Sequence, residues 1–278
     1  MYGAIMGDIV GSRYEHESIK TKDFPLVSPG CTFTDDTVMT VAVARALLAN
    51  KETGEPLDFL LVREMQALGR RYPHAGYGER FWGWLCSPCP VPYGSFGNGS
   101  AMRVSPCGLW AKSLGEALTL AELSAAVTHD HPEGIRGAQA AAAAVYMAKT
   151  GRSKAEIAAY IRKNFYPRPD SLRLDRSLAQ IRPGYGFDVS CQGSVPQAIE
   201  AFLEADSYED ALRNAASLGG DSDTQAAIAG SIAWAYYCCK DRDKGACRAL
   251  LTQWNIPALL PREFVETIEA FTKAGNQA

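Results

Sequence analysis

The amino-acid sequence predicts an all-α fold, one compact helical domain spanning residues 1–278 with long functional loops, on three observations. Apolar residues recur at helical spacing, capping signatures stand at segment starts, and alternating strand patterns of useful length are nearly absent. Val38 to Leu48 is apolar on almost every face, with Arg45 its only charge, and reads as a central buried helix. Residues 57–70 instead place Leu60, Leu61, Met65 and Leu68 among charges, the stripe of a helix with one face on the core. The run Ala140 to Ala144 gives residues 135–149 high helix propensity and permits close packing. Ser153 with Glu156, and Ser207 with Asp210, are capping pairs ahead of apolar-periodic segments, and Gly219-Gly220 stops the second of these helices. Residues 225–239 are rich in alanine and leave room only for neighbouring helices. Extended structure is expected only around 24–34 and 184–192, and residues 86–107 form the longest irregular stretch. No repeat and no linker divides the chain.

Hydrophobic residues make up 47% and charged residues 21%, which suits a globular protein with a sizeable core. A net charge of −3 supplies no bulk attraction for nucleic acid or an anionic membrane, so a small polar partner and a monomer are expected. The start lacks the basic flank and apolar run of a secretory leader, and no segment is apolar for the ~20 residues a spanning helix requires, so a cytoplasmic location is expected. The eight cysteines are scattered through a chain long enough to need no staples, and reduced thiols are expected. Cys238 and Cys239 read as packing residues at a helix end, while Cys86-Ser87-Pro88-Cys89 lacks the context of a redox or zinc motif.

Two acidic clusters carry the chemistry: Thr34-Asp35-Asp36-Thr37 and Asp221-Ser222-Asp223-Thr224, each placed where a core helix begins. Alone, the first fits a helix cap with an acidic first turn as well as it fits a cation site. The second repeats the chemistry behind two glycines, and so many carboxylates at core helix starts need positive charge between them. Hard divalent cations suit the all-oxygen donors. Gly7-Asp8 reads as a turn leading to Glu15. In Ser95 to Arg103 the glycines Gly97 and Gly99 alone fit an ordinary turn as well as a loop whose backbone approaches a phosphate, beside which Phe96 would stack on a base or ribose. Trp82, Trp84 and Tyr93 cluster near that loop, and His131 reads as structural.

Taken in order, the Gly7-Asp8 to Glu15 segment, Thr34-Asp35-Asp36-Thr37, Ser95 to Arg103, Thr128-His129 and Gly219 to Thr224 make the chain resemble the ADP-ribosylglycohydrolase family. The resemblance implies an all-helical hydrolase with two Mg²⁺, or Mn²⁺ in their place, that cleaves the bond between C1″ of ADP-ribose and an acceptor. It implies Thr34, Asp35, Asp36, Asp221, Asp223 and Thr224 as metal ligands. Ser95, Phe96, Gly97, Asn98, Gly99 and His129 would then bind substrate, and Asp36 and Glu15 are the candidates for proton transfer. Where family members usually carry Thr, this chain has Ser222, which keeps a hydroxyl. The acceptor, an arginine or serine side chain or a small conjugate, is left open. A two-metal phosphohydrolase and a non-catalytic ADP-ribose-binding module are the alternatives.

Overall fold

The structure, a computed structural model, describes residues 1–167, 176–238 and 244–276. In chain order the α-helices are α1 Tyr2–Glu15, α2 Asp35–Thr53, α3 Leu57–Arg71, α4 Glu79–Cys86, α5 Gly99–Met102, α6 Ser105–Trp110, α7 Leu114–Ala126 and α8 Pro132–Lys149. They continue as α9 Lys154–Asn164, α10 Leu178–Ile181, α11 Cys191–Leu203, α12 Tyr208–Ala216, α13 Ser222–Tyr237, α14 Lys244–Gln253 and α15 Arg262–Asn276. Buried apolar side chains from Met1 to Phe271 join into one contiguous core. None of the described helices is long and apolar enough to cross a membrane.

The central element is α13, buried along nearly its whole length, with α1, α8, α11 and α12 packed around it. Small side chains make this possible. All five alanines from Ala140 to Ala144 in α8 are buried, as are Ala226, Ala227, Ala229 and Ala233 in α13. On the other side, α2 packs against α3 and α15, and Leu60, Leu61, Met65 and Leu68 of α3 face the core as their spacing predicts. The caps also form as read: Ser153 and Glu156 make a reciprocal capping box, and the Ser207 side chain accepts from the Asp210 amide.

The segment read as a Gly7-Asp8 turn is instead the middle of α1. Glycine inside a helix costs roughly 1 kcal/mol relative to alanine, so the sequence argues locally against this outcome. Tertiary contact overrides the propensity. A Cβ on Gly3 would lie 2.2 Å from Trp234 Cβ, one on Gly7 2.0 Å from the Ala226 carbonyl oxygen, and one on Gly11 2.3 Å from the Ser222 carbonyl oxygen. Three glycines four residues apart thus give α1 a bare stripe on which the α13 backbone lies. The contacts run backwards along α13 as they run forwards along α1, so the helices are antiparallel, and the C-terminal end of α1 arrives at the N-terminal end of α13.

Three further expectations change. Residues 24–34 and 184–192 form no strand: the described residues contain only an isolated antiparallel bridge between Gly97 and Ser190. Lacking a partner strand, the first of these segments hangs on side chains instead, with the Tyr14 hydroxyl donating to the Pro25 carbonyl at 2.8 Å and Arg213 donating to the Phe24 carbonyl at 2.7 Å. The stretch 86–107 is not wholly irregular, since α5 and part of α6 fall within it. Cys238, read as a packing thiol, is bonded to Cys247, because α14 returns to the end of α13 with the two Cα atoms 5.9 Å apart. Cys239 lies outside the described residues. Cys31, Cys86, Cys89, Cys107 and Cys191 are free, as expected of them.

Candidate active site

Helix starts build the acidic end of the site. At the start of α2, Thr34 caps the helix, its hydroxyl accepting from the Asp36 amide at 3.3 Å, and Asp35 and Asp36 occupy the first turn. At the start of α13, Asp221 is the cap position and Asp223 lies in the first turn. Gly219 and Gly220, with φ of 71° and 80°, provide the left-handed turn that leads into it, and a Cβ on Gly220 would meet the Gly186 carbonyl oxygen at 2.6 Å. The Lys20 ammonium secures this turn by donating to the Leu218 and Tyr185 carbonyls. The two helix starts touch: Thr224 Oγ1 donates to Asp36 Oδ2 at 3.1 Å.

The antiparallel α1–α13 contact delivers the remaining acid. Glu15, at the end of α1, comes together with Asp221 and Asp223, one carboxylate oxygen of each lying within 4.8 Å of the others. This cluster is able to hold a metal ion. Ser222 turns away from it and donates to the Gly11 carbonyl at 2.8 Å, so the hydroxyl that replaces the family's usual threonine is used in helix contact.

Asp8 is the site residue whose role the sequence reading missed. Fully buried in α1, it accepts the Thr34 amide at 2.9 Å, the Thr34 hydroxyl at 2.7 Å, the Thr37 amide at 3.1 Å and the Thr37 hydroxyl at 2.5 Å. The proton of Thr34 is thereby turned toward Asp8, and with one lone pair of the hydroxyl accepting the Asp36 amide, the other is left for a cation. The signal was present in the placement of Asp8 beside Gly7, inside a glycine series at four-residue spacing that only a helix explains.

So many carboxylates in one buried place repel ionisation. Burial first, and then the neighbouring Asp223, push the Asp35, Asp36 and Asp221 carboxyls well above the usual range. The same causes push Asp8 up to about 7, against the bonds from Thr34 and Thr37, and raise Glu15. Asp36 Oδ1 is buried with no hydrogen-bond partner among the described residues. An unsatisfied carboxylate oxygen in an all-oxygen cluster is what a bound hard cation would satisfy, so the residues present fit a metal centre.

A cavity of about 510 Å³ opens from these acids, within the roughly 300–1,000 Å³ of small-molecule sites. Thr34, Asp35, Asp36, Asp221, Asp223, Thr224 and Glu15 line one end, and Ser95, Gly97, Asn98, Gly99 and His129 also line it. The loop is tied to the acids directly, since Asn98 Nδ2 donates to Asp221 Oδ2 at 2.6 Å. Two of its backbone donors are already engaged, Gly97 N–H with Ser95 Oγ and Asn98 N–H with the Val189 carbonyl.

Phe96 stands apart from the other residues named above. It does not line the cavity but lies half exposed with its ring edge-on to His131, 5.4 Å between centroids. The aromatic and apolar lining comes instead from Phe81, Tyr93, Phe187 and Val189. Trp84 is buried and stacked on Phe81, while Trp82 stacks on Tyr77. His131 caps α8, accepting from the Glu133 amide at 3.1 Å.

The lining also carries two cations, Arg80 and Arg103. Arg80 donates to the Tyr93 carbonyl at 2.7 Å, and Arg103, fully buried, donates to the Ser124 carbonyl and the Thr128 hydroxyl. Burial lowers Arg103 to about 10. Burial, then Arg103 and Arg80, hold the His129 imidazole well below its ordinary value, so it is neutral.

An all-helical fold carrying an acidic, oxygen-lined cavity beside a glycine loop has the site chemistry that metal-assisted hydrolysis uses. Residues 1–241 match the ADP-ribosylglycohydrolase family, and the chain belongs to that family, whose members are hydrolases of glycosidic bonds. The ADP-ribosylhydrolase ARH3 of Mus musculus is 30% identical in an alignment covering 84% of this chain and 82% of that protein. ADP-ribosylarginine hydrolase Tri1 of Pseudomonas putida is 26% identical in an alignment covering 85% of this chain and 69% of that protein. Among solved structures, an ADP-ribosylglycohydrolase-related protein complex shares the fold with a TM-score of 0.69 at 24% identity, covering 93% of each chain.

Proposed function

We propose that the protein hydrolyses the C1″ glycosidic bond of an ADP-ribosylated acceptor and releases ADP-ribose. One observation carries this reading: Glu15, Asp221 and Asp223 meet at the end of a cavity that continues to the Ser95–Gly99 loop and His129. A ligand held by its diphosphate at the loop would then present its distal ribose to the acids.

Thr34, Asp35, Asp36, Asp221, Asp223 and Thr224 would hold two Mg²⁺, with Mn²⁺ an acceptable substitute because both take oxygen donors. Cations bound there supply charge for the distal ribose hydroxyls and lower the pKa of a coordinated water. The chain's own residues do the rest. Asn98 fixes the Asp221 carboxylate from the loop side, and Thr224 fixes Asp36 from α13. Glu15, half buried and with its proton affinity raised by burial and then by Asp223, is placed to pass a proton to a departing oxygen. The bond breaks through an oxocarbenium-like state, as in glycoside hydrolysis generally.

Glu15 supports one class of acceptor over the other. An alkoxide leaves poorly without a proton, so an acid poised beside the cluster favours an O-linked, serine-like bond over a guanidine-linked one. Serine- and arginine-linked ADP-ribose, incubated with Mg²⁺ or Mn²⁺ and analysed by product, test the reading. Intact ADP-ribose from the serine conjugate is expected. AMP with ribose phosphate would show a phosphohydrolase, and binding of ADP-ribose with no turnover of any conjugate would show a binding module.

A further inference from the structure

His129 follows α7 and lines the cavity through its imidazole. Its Nε2 faces the glycine loop, where a Cβ on Gly99 would lie 3.3 Å away and one on Gly97 3.5 Å away. The ring's only hydrogen bond among the described residues is at the other nitrogen, Nδ1, 2.7 Å from Thr128 Oγ1. Which nitrogen carries the proton is therefore decided by the direction of the Thr128 hydroxyl.

Arg103 decides that direction. A guanidinium only donates, and Arg103 Nη2 gives a hydrogen to Thr128 Oγ1 at 2.8 Å and another to the Ser124 carbonyl at 2.7 Å. One lone pair of the hydroxyl is thus occupied, and its proton must point elsewhere. Two acceptors are within reach, the Ala125 carbonyl at 3.4 Å and His129 Nδ1 at 2.7 Å. The Ala125 carbonyl already receives the Thr128 N–H at 3.1 Å and the His129 N–H at 2.7 Å. Already engaged by these amides and the more distant of the two, it is the weaker acceptor, and the hydroxyl proton goes to Nδ1. A neutral imidazole that accepts at Nδ1 carries its own proton at Nε2.

We infer that Arg103 and Thr128 are positioning residues that lock His129 as the Nε2–H tautomer, so that it donates a hydrogen bond to an anionic oxygen of the bound ligand. On the function proposed above, on which this part rests, that oxygen belongs to the diphosphate of ADP-ribose. The arrangement also accounts for a fully buried cation with no carboxylate within ion-pair distance among the described residues. A group that can only donate is what fixes the polarity of the Arg103, Thr128, His129 chain.

The test is a long-range ¹H–¹⁵N correlation spectrum of the histidine side chains of the full chain, with calorimetric titration of ADP-ribose. The free wild-type protein is expected to show His129 protonated at Nε2 alone, a measurement that needs no variant to fold. Thr128→Val should lose the single tautomer and weaken ADP-ribose binding roughly tenfold, the usual cost of a misdirected bond to a charged group. Thr128→Ser, which keeps the hydroxyl, should restore both. An Nδ1–H tautomer in the wild type overturns the relay, as does a Thr128→Val protein with unchanged tautomer and affinity. A wild-type protein that shows the Nε2–H tautomer yet binds no ADP-ribose overturns the ligand assignment and the function it rests on, and leaves the relay standing.

Discussion

Asp8 Oδ2 receives the Thr37 hydroxyl at 2.5 Å and the Thr37 amide at 3.1 Å, so a carboxylate of the first helix closes the first turn of the second. Its other oxygen holds Thr34, the cap of that turn. Replacing one oxygen with an amide nitrogen sets a donor against donors. Asp8→Asn is therefore expected to lose about 1–3 kcal/mol of stability and to weaken Mg²⁺ binding, although Asp8 itself is not a proposed ligand. Urea denaturation and calorimetry check both, and an unchanged midpoint with unchanged Mg²⁺ affinity would contradict the positioning role.

Glu15 and Asp36 separate proton transfer from metal binding. Glu15→Ala is expected to lower turnover by about 100-fold or more, the scale of general acid–base catalysis, with a smaller loss of Mg²⁺ affinity than Asp36→Ala because the six proposed ligands remain. Asp36→Ala removes an oxygen donor together with the partner of the Thr224 hydroxyl, and should impair metal binding and turnover alike. Mg²⁺ titration beside an ADP-ribose release assay distinguishes them. Normal turnover in both variants would remove these residues from the mechanism.

The glycine stripe of α1 predicts opposite outcomes for the same substitution at two helical sites. Gly7→Ala drives a methyl group to 2.0 Å from the Ala226 carbonyl oxygen, a backbone atom that cannot rotate away. A loss on the order of 3 kcal/mol is expected there. A Cβ on Gly83 in α4 meets nothing within 4 Å, and Gly83→Ala should gain about 0.5–1 kcal/mol from helix propensity and a less flexible unfolded chain. Thermal denaturation of the pair reads the difference directly.

Glu263 on α15 gathers Arg45 of α2 at 2.9 Å, Arg71 of α3 at 2.5 Å and the Tyr72 hydroxyl at 2.6 Å. Burial alone would raise its carboxyl, but the bonds from Tyr72, Arg71 and Arg45 outweigh it and hold the pKa at about 2. A depressed carboxylate stabilises the fold above its ordinary value of 4.5 and loses that contribution as pH falls toward 2. With allowance for water around the exposed Arg71, Glu263→Gln should cost about 2 kcal/mol at neutral pH. The difference from wild type should shrink as the pH is lowered through that window. A difference independent of pH would show that charge is not its source.

Helices were legible wherever a periodic apolar stripe or a capping pair marked them, as in α3, α9 and α12. The acids and the glycine loop were legible because their chemistry is local: adjacent carboxylates at a helix start, glycines in a turn. Non-local packing was not. Gly7 and Gly11 lower helix propensity by themselves, and only the backbone of α13 explains them. Asp8 reads as a turn residue for the same reason. Phe96 shows the limit from the other side, since its position in the motif says nothing of which way the ring turns, and it turns to His131. The Cys238–Cys247 bond likewise depends on where α14 returns, which composition does not specify.

The bare stripe of α1 also sets a tolerance on chain length. Each residue of a helix advances its successor by about 100° and 1.5 Å. One residue inserted between Gly11 and Glu15 would swing the acid about a quarter turn away from Asp221 and Asp223 while the seam with α13 stayed in place. Length variation is therefore forbidden inside α1, which acts as a keyed shaft whose phase is read at its far end.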